Sequence, residues 1–213
     1  KNIKHLVIDE MQDYSYLQYL ILRQMFNCRM TILGDRAQTM EDRTHDVLEF
    51  LPGIFGKNIR KIILNKSYRN TVEIAEYANR TAGIRDMEIF QRHGKAVEEK
   101  EFSGIEEAVR EIRKNLDLGQ SGYETGALLA MSEAEAVEIY KHLKEMEIPV
   151  TYMDRNSSSF KKGLTVTTFY LAKGLEFDQV FVMARKKKTP LLIQAEYICA
   201  TRALHELYVY QCF

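Results

Sequence analysis

Cysteine is scarce in this 213-residue chain, which holds only Cys28, Cys199 and Cys212. They are odd in number, widely spaced and without histidines at metal-ligand spacing, so a disulfide framework or a zinc site is not expected, and the thiols read as reduced and packed. Long apolar runs are missing too, and the opening Lys1-Asn2-Ile3-Lys4 lacks the charged-then-apolar profile of a secretory signal. Nor is there an excess of one charge: 30 Lys and Arg balance 30 Asp and Glu. That excludes the global footprint of a dedicated nucleic-acid binder and leaves only a local patch for such contact. There are no internal repeats and no low-complexity tract. The expectation is a soluble, cytoplasmic globular piece of a longer polypeptide, whose 46% hydrophobic content suits one large domain or one domain plus part of another.

What is present is an alternation of strand-like apolar runs with amphipathic helical stretches, the pattern of a parallel α/β sheet covered by helices. Strands are expected at Ile3 to Asp9 (buried), Arg29 to Gly34, Arg60 to Leu64, Gly126 to Met131, Leu164 to Phe169, Gln179 to Ala184 and Leu207 to Cys212. Helices are expected at Tyr16 to Phe26, with Leu17, Leu20, Ile21 and Phe26 toward the core, and at Val47 to Phe50, stopping before Pro52 and Gly53. Further helices are expected at Val72 to Arg80, Ile105 to Asn115, Glu133 to Met146 and Ala195 to His205. The stretch Met87 to Glu101 is polar and aperiodic, Asn156 to Ser159 reads as an exposed turn, and a domain seam is placed near Gly56.

The chemistry-bearing residues begin at Val7-Ile8-Asp9-Glu10-Met11-Gln12-Asp13. An apolar strand ending in adjacent carboxylates can bring Mg²⁺ to a nucleotide phosphate, with Asp9 meeting the metal and Glu10 orienting or deprotonating the attacking water. The plainer alternative is a strand end followed by an acidic helix cap, for which Asp13 is the candidate. A second strand ends in Gly34-Asp35-Arg36-Ala37-Gln38, where Gln38 could sense a γ-phosphate; alone, this is a common turn. The glycine-rich phosphate loop that would complete such a site, G-x-x-x-x-G-K-[ST], does not occur in these residues. The fragment alone is therefore not expected to hydrolyse ATP.

Taken in order with three later segments, these residues resemble the UvrD/Rep type of superfamily 1 helicases. Leu64-Asn65-Lys66-Ser67-Tyr68-Arg69-Asn70-Thr71 resembles that family's Tyr-Arg motif, Leu164 to Phe177 its Lys-Gly-Leu-Glu-Phe motif, and Tyr197-Ile198-Cys199-Ala200-Thr201-Arg202-Ala203 its final Thr-Arg-Ala motif. The resemblance implies a P-loop NTPase fold, with one complete RecA-like parallel sheet carrying helices on both faces (57–213) after the C-terminal part of another (1–56). It implies ATP and Mg²⁺ as cofactors, Tyr68 stacked on the adenine, and Arg69 and Arg202 converging on the γ-phosphate across an interdomain cleft. It also implies Glu176 on the ribose hydroxyls and close backbone approach at Gly174.

Two departures bear on activity. Thr39-Met40-Glu41-Asp42-Arg43 lacks the base-stacking aromatics that DNA-translocating members carry there, and Tyr170 replaces a customary His. No large helical insertion fits between Thr71 and Thr165. The absent insertion, with Asp9 to Ser15 and Ala200 to Leu207, most resembles the HelD branch, whose members are ATPases that act on RNA polymerase, while the missing aromatics and Tyr170 argue against ordinary DNA unwinding. The implied partners are RNA polymerase or single-stranded DNA, together with the N-terminal part of the same polypeptide, and no membrane. A 3′-to-5′ DNA translocase and a non-hydrolysing binding module are the rival readings. Arg185-Lys186-Lys187-Lys188 is the one basic run, read first as a solvated loop, and Glu133, Glu135 and Glu138 with Lys141 and Lys144 as an exposed charged helix face.

Overall fold

A computed structural model of the chain describes residues 3–35, 38, 47–119, 121–157 and 162–212. They divide into two compact units, Lys1–Leu64 and Asn65–Phe213.

In the first unit, β1 (His5–Ile8) and β2 (Arg29–Ile32) pair in parallel, from His5 against Arg29 to Ile8 against Ile32. A 3₁₀ turn (Met11–Asp13) and α1 (Tyr16–Met25) lie between them, and α2 (Val47–Phe55) follows. Ser15, rather than Asp13, caps α1, in a reciprocal box with Gln18. The core gathers Ile8, Tyr19, Val47 and Leu51, with Leu6, Leu22 and Ile32 around them. Strand β1 is thus buried on one face only: Ile8 points inward, while Val7 is 60% exposed. The same one-sidedness corrects the expected face of α1, where Tyr19 and Leu22 turn inward and Leu17 and Ile21 are exposed. Helix α2 runs through Pro52 and Gly53 to Phe55, because Val47, Leu51, Ile54 and Phe55 keep a helical stripe packed on that core despite the hydrogen bond a proline removes.

The second unit is built on a six-stranded sheet. Its elements are β3 (Lys66–Ser67), α3 (Val72–Ala82), β4 (Glu88–Ile89), β5 (Glu98–Glu101), α4 (Ile105–Asn115), β6 (Thr125–Ala130), α5 (Glu133–Glu145), β7 (Val150–Tyr152), β8 (Gly163–Thr168), β9 (Phe177–Ala184), α6 (Pro190–Ala200) and β10 (Ala203–Gln211). The strand order is β5-β10-β9-β6-β8-β7, and every neighbouring pair is parallel. Strands β3 and β4 form a separate parallel pair of two residues each.

Ala127, Leu128, Leu129 and Ala130 of β6 are all inaccessible, as expected of a central parallel strand buried on both faces. On one face α4 and α5 insert Val109, Ile112, Ala136, Ile139 and Leu143 between Leu128, Val166, Phe181 and Tyr208. Helices α3 and α6 pack on each other and on β10 and β9 from the other side. Helix α3 opens on a Thr71 cap and closes on Gly83, whose φ of 68° only glycine adopts freely.

Three sequence expectations are corrected here. Arg60 to Leu64 is not a strand: Ile62, Ile63 and Leu64 are 68%, 73% and 82% exposed, with no pairing among the described residues. Within the aperiodic stretch, Glu98–Glu101 is an edge strand, ordered by its backbone pairing to Tyr208–Gln211 rather than by apolar alternation. Helix α6 begins at Pro190 and ends at Ala200, because from Ala203 the backbone pairs with β9, starting opposite Phe177.

Candidate functional site

In the first unit the ends of β1 and β2 form one hydrogen-bonded platform. Asp9 follows β1 and is exposed; Glu10 next to it adopts the left-handed conformation (φ 52°, ψ 50°), unusual for a residue with a side chain, while its N–H donates to Asp9 Oδ1 at 2.8 Å. Gln12 is 6% exposed, and its amide nitrogen donates to Glu10 Oε2 at 2.5 Å while its carbonyl oxygen accepts from the Asp35 N–H at 3.1 Å. Asp35 Oδ2 in turn accepts from Gln38 Nε2 at 3.0 Å. Glu10, Gln12, Asp35 and Gln38 therefore form a continuous chain across two strand ends. Backbone bonds from Met11 N to Leu33 O and from Leu33 N to Ile8 O, both 2.8 Å, hold those ends together.

Gly34 is what permits this approach. A Cβ there would lie 2.3 Å from Met11 Cγ, 2.4 Å from Gln12 Oε1 and 2.8 Å from the Met11 nitrogen. Tyr19, wholly buried, donates its hydroxyl to Met11 O at 3.0 Å from below, and burial first, then the charges of Tyr14 and Asp13, pushes its phenol well above the usual range. Arg36, Ala37 and the Thr39–Arg43 stretch lie outside the described residues.

In the second unit three separate segments meet. Tyr68 and Arg69 follow β3, Gly174 and Glu176 precede β9, and Arg202 precedes β10. Arg69 Nε pairs with Glu176 Oε1 at 2.8 Å, with the two side chains 45% and 42% exposed. So exposed a pair contributes about 0–1 kcal/mol, and either partner can leave it for a ligand at small cost. Tyr68, 63% exposed, lies 5.7 Å from the Phe90 ring at 35°, with Lys66 Nζ 5.6 Å from its centroid. Gly174 has φ 81°, so the Lys-Gly-Leu turn needs glycine for its backbone, and a Cβ there would meet nothing within 4 Å.

Arg202 is 2% exposed and donates to Ile198 O at 3.2 Å, Leu175 O at 3.4 Å and Thr201 Oγ1 at 3.1 Å. Its own carbonyl accepts from Phe177 N at 2.9 Å, which ties the Arg202 and Glu176 segments together. Asn70 closes the group by donating to Ala203 O at 2.6 Å.

The sequence gives no role to Gln12, Asn70 or Arg92, yet each bridges the named segments. Gln12, two residues after Glu10, and Asn70, directly after Arg69, carried a weak signal as carboxamides beside chemistry-bearing residues; Arg92 carried none. The basic run is bound mostly to carboxylates. Arg185 Nε reaches Glu135 Oε1 at 3.0 Å, Lys188 pairs with Glu196, and Lys186 lies 3.5 Å from Glu101. Glu135 is buried as the third-position partner of Ser132 in the α5 capping box, accepting from Met131 N and Ser132 N, rather than part of an exposed face. Tyr170 is half-buried at the end of β8, edge-on to Phe169 and 5.7 Å from the Arg155 guanidinium. A shallow hollow lined by Lys4, His5, Arg23, Asn27, Cys28 and Arg29 sits at the opposite end of β1 from Asp9.

Among the described residues no three His, Cys, Asp or Glu side chains are grouped to hold a metal, and no helix is long and apolar enough to cross a membrane. Mg²⁺ does not need such a cage, since it commonly takes one or two carboxylates plus waters and substrate phosphates, and the exposed Asp9 fits that role.

No protein-family model and no curated protein matches the chain. Among solved structures it is similar to the C-terminal domain of a protein described as a possible DNA helicase from Lactobacillus plantarum WCFS1, at 26% identity over 68% of this chain and 88% of that one, with a TM-score of 0.56. It is also similar in fold to the PRRSV helicase (17% identity, TM-score 0.53) and to arterivirus nonstructural protein 10, a helicase (14%, 0.51). Those two alignments cover 98% and 96% of this chain but 35% and 38% of the viral proteins, so the chain spans about a third of their length. The architecture is that of a RecA-like helicase domain, a parallel sheet flanked by helices.

Proposed function

We propose that this chain is the C-terminal portion of a superfamily 1 helicase-like ATPase of the UvrD/Rep type, in its HelD branch, which couples ATP hydrolysis to the separation of RNA polymerase from nucleic acid. The observation that carries the ATPase reading is the chain of hydrogen bonds from Glu10 through Gln12 and Asp35 to Gln38. A carboxylate at a strand end is common; one held in left-handed backbone and wired through Gln12 to the segment that leaves the neighbouring strand is poised to respond to a ligand at both strand ends.

Bound ATP with Mg²⁺ supplies the phosphoryl bond to be cleaved. Asp9 would hold the ion, and Glu10 would orient the water for in-line attack and take its proton. Gln38 senses the γ-phosphate. Arg69, released from Glu176, moves onto developing phosphate charge, and Arg202 adds a second guanidinium, which requires it to rearrange from its bonds to backbone carbonyls. Tyr68 offers its exposed ring to the base, Glu176 accepts from the ribose hydroxyls, and the backbone at Gly174 lets the nucleotide come close.

The branch assignment rests on the interval from Thr71 to Thr165. Its described residues form α3, β4, β5, α4, β6, α5 and β7, which belong to one compact unit and leave no room for a large helical insertion. Steady-state ATP hydrolysis by the full-length protein tests the reading, measured alone, with single-stranded DNA and with RNA polymerase, and with Glu10→Gln as control. Glu10-dependent hydrolysis that responds to the polymerase and not to DNA is the expected result. Strong stimulation by DNA would establish a DNA translocase instead, and no hydrolysis at all a binding module.

A further inference from the structure

The segment from Glu88 to Gly94 carries no recognisable motif, yet it runs alongside the Tyr68-Arg69 loop and bonds to it repeatedly. Glu88 N donates to Asn65 O at 2.6 Å, Phe90 N to Ser67 O at 2.9 Å, and Val72 N to Arg92 O at 2.9 Å. At its far end Gly94 N donates to Glu73 Oε2 at 2.8 Å, and a Cβ on Gly94 would sit 2.6 Å from Thr71 Cγ2. Two of its side chains reach the candidate site. The ring of Phe90, 46% exposed, stands beside Tyr68. The guanidinium of Arg92 donates to Arg69 O and, at 3.0 Å, to Leu204 O, joining the backbone of one arginine segment to that of the other. Its Nε is buried with no partner among the described residues, so both of its bonds come from Nη2.

We propose that Glu88–Gly94 is a working strap of the nucleotide site, in which Phe90 extends the aromatic surface that receives the base and Arg92 is a positioning residue that holds Arg69 in register with Arg202. The proposal rests on the nucleotide roles assigned above to Tyr68 and Arg69. Two exposed rings side by side offer a base more contact area than Tyr68 alone, and stacking tolerates any base because every base has a π-face. Arg92 touches backbone only, so its influence is on where the Arg69 side chain starts, not on the charge that Arg69 supplies.

The test is steady-state ATP hydrolysis by the full-length protein carrying Phe90→Ala or Arg92→Gln, with Tyr68→Ala and Arg69→Ala in parallel and thermal unfolding of each variant. Phe90→Ala is expected to raise the KM for ATP about fivefold, the lower end of a stacking contribution, with kcat within about twofold. Arg92→Gln is expected to lower kcat about tenfold with KM little changed, the split that marks loss of an interaction made in the transition state. If Arg92→Gln fails to fold, Arg92→Lys is read by the same split. If Tyr68→Ala and Arg69→Ala impair hydrolysis while the strap variants stay within twofold in both parameters, the strap is structural only and this inference falls alone. If none of the four variants changes hydrolysis, the nucleotide reading falls and takes the inference with it.

Discussion

Gln12 donates to Glu10 Oε2 and accepts from the Asp35 N–H, so a single buried carboxamide fixes the carboxylate at the end of one strand by the backbone that leaves the next. Gln12→Leu keeps the volume and removes both bonds. The Asp35 N–H loses this partner, at a cost of about 1–3 kcal/mol, and Glu10 loses its orienting contact. Urea unfolding should show that loss in the first unit, and ATP hydrolysis by the full-length protein should fall in kcat.

Gly34→Ala places a methyl within 3 Å of three atoms, one of them the Met11 backbone nitrogen, which cannot rotate away. Destabilisation of about 1–3 kcal/mol is expected from overpacking. Gly53→Ala is the matched control: it lies within α2, a Cβ there meets nothing within 4 Å, and the change should be neutral or stabilising by up to about 1 kcal/mol.

Asp178 anchors the start of β6 by accepting from Glu124 N, Thr125 N and Thr125 Oγ1. Burial pushes its carboxyl up, but those donors and the nearby His205 outweigh it and hold it below the usual aspartate range. A carboxylate depressed on folding adds stability that is present above the unfolded aspartate pKa of about 3.9 and is lost as pH falls through its lower folded value. Asp178→Asn should therefore lower stability at neutral pH and flatten its decline between about pH 4 and the acid end, as read from urea midpoints against pH.

The three thiols should separate by reactivity. Cys199 is wholly inaccessible, and burial pushes its thiol far up; Cys212 is 9% exposed and raised to about 11, again by burial first; Cys28 is only partly covered. Mass spectrometry after brief alkylation of the native protein should find Cys28 modified first, and Cys199 and Cys212 only once the second unit unfolds.

Elements whose burial follows a regular pattern were legible in the sequence. Strand β6 shows as a run of small and branched apolar residues, and α4 as Ile105, Ala108, Val109 and Ile112 at helical spacing. The helix-covered parallel sheet followed from that alternation, and its RecA-like character from the resemblance of the ordered motifs. Strand β5 was not legible, because Glu-Glu-Lys-Glu owes its conformation to backbone pairing with β10 and to ion pairs of Lys100 with Glu98 and Glu111. The outward stripe of α1 was misread for a related reason: periodicity shows that a helix has an apolar face without showing which of two apolar faces is covered. At the candidate site the motif residues stood out, but the residues joining them did not. Asn70 and Ala203 are 133 positions apart, and nothing local in either segment foretells that bond.

The two ends of the six-stranded sheet have a consequence for how this unit meets other molecules. One border is β5, with four charged residues in succession; the other is β7, only three residues long. A strand arriving at the first would set its side chains against three carboxylates and the Lys100 ammonium, and at the second would find few backbone groups to pair with. Growth of the sheet by an added strand is disfavoured at both borders, so recognition by this unit belongs to its loops and side-chain surfaces, and self-association by edge pairing is held off without a covering element.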